Sequence, residues 1–446
     1  MQQVSHTQHL GPINFVEGVT RVNFMTLLLA SFVIMSMISG MHFFQGYVFT
    51  EHLNIPREQQ GTTAGTLTFL SEVVAILLVA PFGILSDRIG RRPIIVFGIA
   101  AIAIGYGLFP FATSIAELTV YRLIFAVGTT AASTMMGTIV NDYPQETSRG
   151  KMIGVNSVMT SFGTVFMAGV LAQIPALLRG QGVDAVVAGQ VMFLTAAGIC
   201  FFTVFALRLG LKSGTPVSLA DRLPYGTLVR RGLLSAKNPR IALSFAVSFT
   251  GRSDHVIKAV FLSLWIIQVG NAEGLSAGAA LALAGALYVM MQTMSMIWHL
   301  IFGFILDHIS RVTGVIIGMA LGSAGYLSMG IITSPLDYAM WPAFVLLSLG
   351  SSSSIQSAQS LIGQEAPKTE RGAILGVNGL FGAIGIMIIT LVGGWLFDIW
   401  APYAPFVLVG AAKLVLLIYA IIVRLVAPGP KVVGPSAQAD RVAGVH

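Results

Sequence analysis

The sequence is short of charge and almost without cysteine. Only 10% of its 446 residues are Asp, Glu, Lys or Arg, against about 25% in a soluble globular domain. So few charges cannot cover a water-exposed surface, which excludes a soluble fold of this length. The one cysteine, Cys200, excludes an internal disulfide and a thiol-only metal site. Set in the run TAAGICFFTVF, it reads as a small buried hydrophobe. Nucleotide-binding loops, metal-ligand spacings and nucleophile signatures are all missing, which argues against an enzyme and against an ATP-driven pump. The basic residues are dispersed over several loops and form no aromatic-interleaved face, which argues against a nucleic-acid partner. No cofactor and no metal are expected. The first 22 residues are polar, without a short apolar core or a cleavage signal, so the first span is expected to act as an uncleaved insertion signal.

What the sequence has in abundance is apolar length. Residues are 55% hydrophobic and mean hydropathy is +0.82. Uncharged stretches long enough to cross a bilayer recur along the chain. They predict twelve spans: 24–49, 63–84, 93–112, 117–140, 152–174, 187–208, 241–268, 277–304, 312–333, 338–362, 373–397 and 402–425. The loops are short except for 209–240, which carries Lys212, Arg222, Arg230, Arg231, Lys237 and Arg240. With both termini cytoplasmic, 19 of the 25 Lys and Arg residues fall on the cytoplasmic side. Arg57 and Arg179 fall outside, and Arg122, Arg252, Lys258 and Lys413 lie within spans. Basic residues are retained on the cytoplasmic side during insertion, so this bias fixes the orientation. The +7 net charge is then a record of topology, and the basic loop is placed to meet anionic headgroups. The expected setting is the inner membrane of a bacterium, as a monomer.

Two stretches recur at nearly one spacing. GILSDRIGRR (83–92) is echoed by GFILDHISRV (303–312), with Gly83, Asp87 and Arg91 matching Gly303, Asp307 and Arg311. RGKMIGVN (149–156) is echoed by RGAILGVN (371–378), aligning Arg149 with Arg371. Six spans, a basic linker and six related spans are what duplication of one bundle leaves. The expected division is a bundle at 1–208, a linker at 209–240, a second bundle at 241–426 and a cytoplasmic tail at 427–446. Repeats of this kind place a solute path between halves, near the midplane.

G-x-L-S-D-R-x-G-R-R after the second span resembles motif A of the major facilitator superfamily, and the resemblance covers roughly the whole chain. Arg122, in YRLIFAVG, is similar to that family's motif B arginine, often implicated in proton coupling. The resemblance implies an all-α membrane protein of twelve helices in two pseudo-symmetric six-helix bundles, working by alternating access. It implies gating by motif A: Gly83, Asp87, Arg88, Gly90 and Arg91, with Asp142 and Arg149 beside them and Asp307, Arg311 and Arg371 in the second copy. One departure stands out. Proton-driven exporters of the family carry a Gly-Pro pair late in the fifth span, where this chain reads GVNSVMTSFGTVFMAGVLAQIP.

The remaining candidates are charges inside spans, which are costly in lipid and functional by default. Glu72 precedes Asp87 by 15 residues, about 22 Å along a helix. Its repeat partner is Gln292, which cannot titrate. Arg122 lies at a similar height, aligned with Phe344, and a Glu72–Arg122 pair is one reading. Arg252, Asp254, His255 and Lys258 fall in the stretch TGRSDHVIKAV, near the middle of the seventh span. On a continuous helix they share one sector, and Asp254 and Lys258, four apart, can pair. A self-neutralised pair is the bland reading and a watered cavity the functional one. His42 and His299 read as structural. The run YVMMQTMSMIWH offers Tyr288 and Gln292 as cavity contacts and the methionines as span packing or a soft apolar wall. In SSSSIQSAQS the hydroxyls permit close helix packing.

Cations outnumber anions within the spans, which favours an anionic solute. The expected function is secondary transport of a small organic anion. Proton coupling runs through Glu72, Arg122 and Asp254, and solute contact through Arg122, Arg252, Asp254, His255, Lys258, Tyr288 and Gln292. A proton antiporter exporting amphipathic compounds is the alternative, and a non-transporting receptor or scaffold ranks below both.

Overall fold

The computed structural model describes residues 9–11, 13–214, 225–367 and 370–428. Arg222, the rest of the 215–224 stretch of the linker, and the tail from 429 lie outside the described residues. In hydrocarbon every backbone polar group must be satisfied within the segment, so apolar length becomes helix. The helices are α1 (Arg21–Glu51), α2 (Arg57–Ile89), α3 (Arg91–Leu108), α4 (Ile115–Asp142), α5 (Arg149–Gly169), α6 (Ile174–Gly180), α7 (Ala185–Gly210), α8 (Tyr225–Leu234) and α9 (Pro239–Gly251). They continue as α10 (Ser253–Ile257), α11 (Ser263–Ala272), α12 (Ala277–His308), α13 (Arg311–Leu327), α14 (Trp341–Glu365), α15 (Arg371–Ile399) and α16 (Ala404–Val426).

Among the described residues, eleven helical segments are long and apolar enough to cross a membrane. They account for eleven of the twelve expected spans. The tenth, 338–362, is a helix too (α14), but its SSSSIQSAQS run breaks the apolar length that the others have. The seventh is not one continuous helix. It is built from α9, α10, a π-helical turn at Lys258–Leu262, and α11.

Local signals set the ends. Thr20 caps α1 by accepting from Asn23 N, while the Asn23 side chain accepts from Thr20 N. Pro56 precedes α2, and Asn238 with Pro239 opens α9. Gly90, at φ +96°, joins α2 to α3 in a conformation that side chains avoid.

By packing, the chain forms two compact units. One takes in Met1–Arg222, His255–Val289 and Thr390–Trp400; the other takes in Leu223–Asp254, Met290–Ile389 and Ala401–His446. In the first unit α3 and α4 cross closely: a Cβ at Gly98 would lie 2.6 Å from Ala132 N, and one at Gly128 would lie 2.7 Å from Gly98 O. A short hairpin, β1 (His9–Leu10) and β2 (Ile13–Asn14), precedes α1. Phe15, fully buried, bridges to Pro144, and Val16 N donates to Tyr143 O at 3.0 Å. In the second unit Leu243, Val247, Val315, Met319 and Leu361 form a core shared by α9, α13 and α14. The serines of α14 pack as the small-hydroxyl reading expects. Ser348 and Ser352 bond Ser295 of α12 at 2.6 and 2.8 Å.

Candidate functional site

The first unit buries a charge cluster around Arg122. This side chain is fully buried on α4. Its Nη2 donates to His42 Nδ1 at 2.8 Å, its Nε donates to Ser71 Oγ at 3.2 Å, and its guanidinium carbon lies 5.1 Å from the Phe125 ring centroid. Nη1 has no hydrogen-bond partner. Glu72, half-buried beside Ser71, acts on the guanidinium electrostatically. The hydrogen bonds themselves go to His42 and Ser71. His42, expected to be structural, is the arginine's direct partner. Histidine and arginine are a pairing that charge matching does not suggest, so neither His42 nor Ser71 was findable from composition.

The stretch TGRSDHVIKAV departs from the single-sector picture because its helix is not continuous. α9 ends at Gly251, Arg252 stands at the break, and the backbone widens into the π turn at Lys258. Such turns are frequent at functional positions. The four side chains then separate: Asp254 and Lys258 are buried, whereas Arg252 and His255 are exposed. Asp254 Oδ2 takes Lys413 Nζ at 3.0 Å, with both side chains fully buried, and Asp254 Oδ1 has no hydrogen-bond partner. Lys413 also lies 5.3 Å from the Tyr326 ring centroid. Lys413 therefore faces the interior of its unit and not lipid-side neighbours. Arg252 lays its stem over α15, where a Cβ at Gly382 would come within 2.8 Å of Arg252 Cγ, and its Nη1 reaches Gly379 O at 3.5 Å. Tyr288 is buried with its ring 5.4 Å from that of Phe43, and Gln292 is buried in the second unit.

At the α2–α3 turn Arg91 gathers its partners: Nη1 meets Asp87 Oδ1 at 2.5 Å and Ser86 Oγ at 2.6 Å, and Nε meets Asp142 Oδ2 at 3.2 Å. Arg88 is exposed. Arg149 pairs with Glu146 at 2.8 Å. The second copy keeps the local pair, Arg311 to Asp307 at 3.1 Å, while Arg371 Nη2 donates to Gly363 O at 2.7 Å. Next to Asp142, Tyr143 OH accepts from Lys212 N at 3.2 Å, and burial pushes its phenol up to about 12. No group of three or more His, Cys, Asp or Glu residues suited to a metal occurs among the described residues.

The family model described as Major Facilitator Superfamily matches residues 24–345 and again 299–444. The magnetosome protein MamH of Paramagnetospirillum magneticum is 31% identical over 379 residues, covering 83% of this chain and 85% of its own. The multi-drug resistance efflux pump PmrA of Streptococcus pneumoniae is 25% identical, covering 78% and 83%. Among solved structures, the nucleoside transporter NupG superposes with a TM-score of 0.70 over 90% of this chain and 99% of its own, at 13% identity. That last likeness speaks to the fold alone.

Proposed function

Because this chain belongs to the major facilitator superfamily, and is thus an integral membrane transporter and not an enzyme, we propose that it moves a small organic anion by alternating access, coupled to protons. We place it in the bacterial inner membrane with both termini cytoplasmic, as the Lys and Arg bias argues. The observation that carries the reading is Arg122. A fully buried guanidinium with an unpartnered Nη1 is a donor waiting for an acceptor, and arginine binds carboxylate, phosphate or sulfonate oxygens in pairs. Lys413 and Asp254 offset each other. That leaves Arg122, Arg252 and Lys258 against Glu72 among the charges within the spans, an excess that favours an anion.

In this reading Arg122, Arg252, His255, Lys258, Tyr288 and Gln292 are solute contacts. Glu72, Arg122 and Asp254 handle the proton. The Arg91–Asp87–Asp142 set is the gate, made and broken as the protein changes state. The runner-up is proton-driven export of amphipathic compounds. The likeness to PmrA, a multi-drug efflux pump by name, favours it.

A thermal-shift screen of the purified protein separates the two. It compares small organic anions with neutral and cationic drug-like compounds at pH 5.5 and 7.5. A compound that binds only the folded state raises the midpoint, by about 2.7 kcal/mol of stability at one hundred times its Kd. Stabilisation by one anion class, stronger at one pH, supports the proposal. Broad stabilisation by lipophilic cations overturns it in favour of export.

A further inference from the structure

We propose that Nδ1 of His42 is a proton-binding site, and that the proton it takes releases Arg122 to an anionic solute. The proposal rests on the proton-coupled anion reading and deepens it. Every guanidinium nitrogen of arginine is a donor and none accepts. The His42 nitrogen that meets Arg122 Nη2 at 2.8 Å must therefore present a lone pair. That nitrogen is Nδ1; Nε2 lies farther, at 3.4 Å. In this state the ring is neutral, with its hydrogen on Nε2.

A proton arriving from water on Nδ1 removes the lone pair. The imidazolium N–H then points at a guanidinium N–H, and two cations share a site without bulk water. Arginine does not give up its own proton, so the contact must open. The Arg122 side chain keeps Ser71 as a partner for Nε, but Nη2 now joins Nη1 in lacking one. A single oxyanion can accept from both. Protonation of His42 and anion binding at Arg122 thereby favour each other, and such mutual preference is what coupling requires. Gln45 stands three residues on, one turn along the same face of α1. It is buried, and neither end of its amide has a hydrogen-bond partner. It would supply a neutral donor and acceptor beside the bound oxyanion.

The charged or titratable groups on the elements packed against α1 are Arg57, Glu58, Glu72, Asp87 and Arg88 on α2, Arg91, Arg92 and Tyr106 on α3, Glu117, Tyr121, Arg122 and Asp142 on α4, Arg149 and Lys151 on α5, Cys200 and Arg208 on α7, and Lys258 on the π turn. Of these, Arg122 touches the His42 ring and is the charge that acts on it.

The test needs no solute. Protein labelled with 15N-histidine and 15N-arginine is placed in lipid bilayers and followed by solid-state NMR from pH 8 to pH 4. The His42 signal is identified by its loss in His42→Gln, whose side-chain oxygen can still accept from Arg122. We expect His42 neutral with its hydrogen on Nε2 at pH 8, doubly protonated at the acid end of the range, and the Arg122 signals shifting in step. In His42→Gln the Arg122 signals should stop following pH. In Arg122→Gln the His42 transition should move to higher pH. The proposal is overturned if His42 stays neutral throughout, if it gains a proton with Arg122 unmoved, or if neither variant alters its partner's titration. Failure of the anion reading itself shows separately, as a screen in which no anion stabilises the protein.

Discussion

Lys413 Nζ stands 3.0 Å from Asp254 Oδ2, with both side chains fully buried and the residues 159 positions apart in the sequence. The pair ties the broken seventh span to α16 inside the second unit. Removing one partner of a buried pair strands the other charge and costs about 3–5 kcal/mol, whereas replacing both with apolar groups is often neutral. Lys413→Met should therefore lower unfolding stability by about that amount, and Asp254→Leu combined with Lys413→Met should restore most of it. Thermal unfolding of the three proteins checks this. A double variant as unstable as the single one would mean that the pair is not the reason Lys413 is needed.

Much of this was legible in the sequence, and the omissions have physical causes. Helix placement follows from apolar length, because lipid leaves the backbone no other option. Asp87, Arg91 and Asp142 were expected together and meet at one turn. The partner of Asp254 was not legible, since spacing along one helix points to Lys258 and cannot see across to α16. The π turn was equally hidden. It moves the 252–258 side chains off the ideal 100° wheel, and no residue in KAVFL signals it. The hairpin ahead of α1 is not legible in the sequence because two-residue strands carry no periodicity.

The Arg91 cluster proposed as the gate gives a second expectation. Arg91 is the shared partner of Asp87 and Asp142, so when Asp87 loses its charge Asp142 still holds the guanidinium, and the local loss is that of one hydrogen bond, about 1 kcal/mol. Asp87→Asn should make the amides around the α2–α3 turn exchange roughly fivefold faster, without unfolding the bundle. Hydrogen exchange read by mass spectrometry over residues 83–95 measures this. Unchanged protection would mean that Asp142 alone holds Arg91.

His52, just past the end of α1, gives a pH dependence. Its Nδ1 lies 2.9 Å from Pro110 O and so donates, while Nε2 is buried without a hydrogen-bond partner. Burial lowers its pKa below the ordinary histidine value, against the opposing pull of Pro110 O and Asp184. The folded protein thus binds fewer protons here than the unfolded chain. The stabilisation is fully present above the unfolded value of about 6.5 and is lost as pH falls through the lowered folded value. The thermal midpoint of the natural protein should drop more between pH 7.5 and pH 5.5 than that of His52→Gln. Equal drops would assign the acid sensitivity to other groups.

Phe15 is fully buried, its ring centroid 5.2 Å from that of Phe24 on α1. Around it, Gln145 N donates to Asn14 O at 2.9 Å, Gln145 Nε2 donates to Phe15 O at 3.1 Å, and Asn14 N donates to Ser148 Oγ at 3.0 Å. These bonds fasten the turn between α4 and α5, and that turn begins right after Asp142, the outer partner of Arg91. Phe15→Ala removes the apolar anchor at a loss of about 3–5 kcal/mol, felt first by the hairpin and the turn it holds. Amides at 13–16 and 143–148 should then lose protection together, while the middle of α1 keeps its own. If 143–148 stay protected, the turn is held by the helices alone and the hairpin has no hand in positioning Asp142.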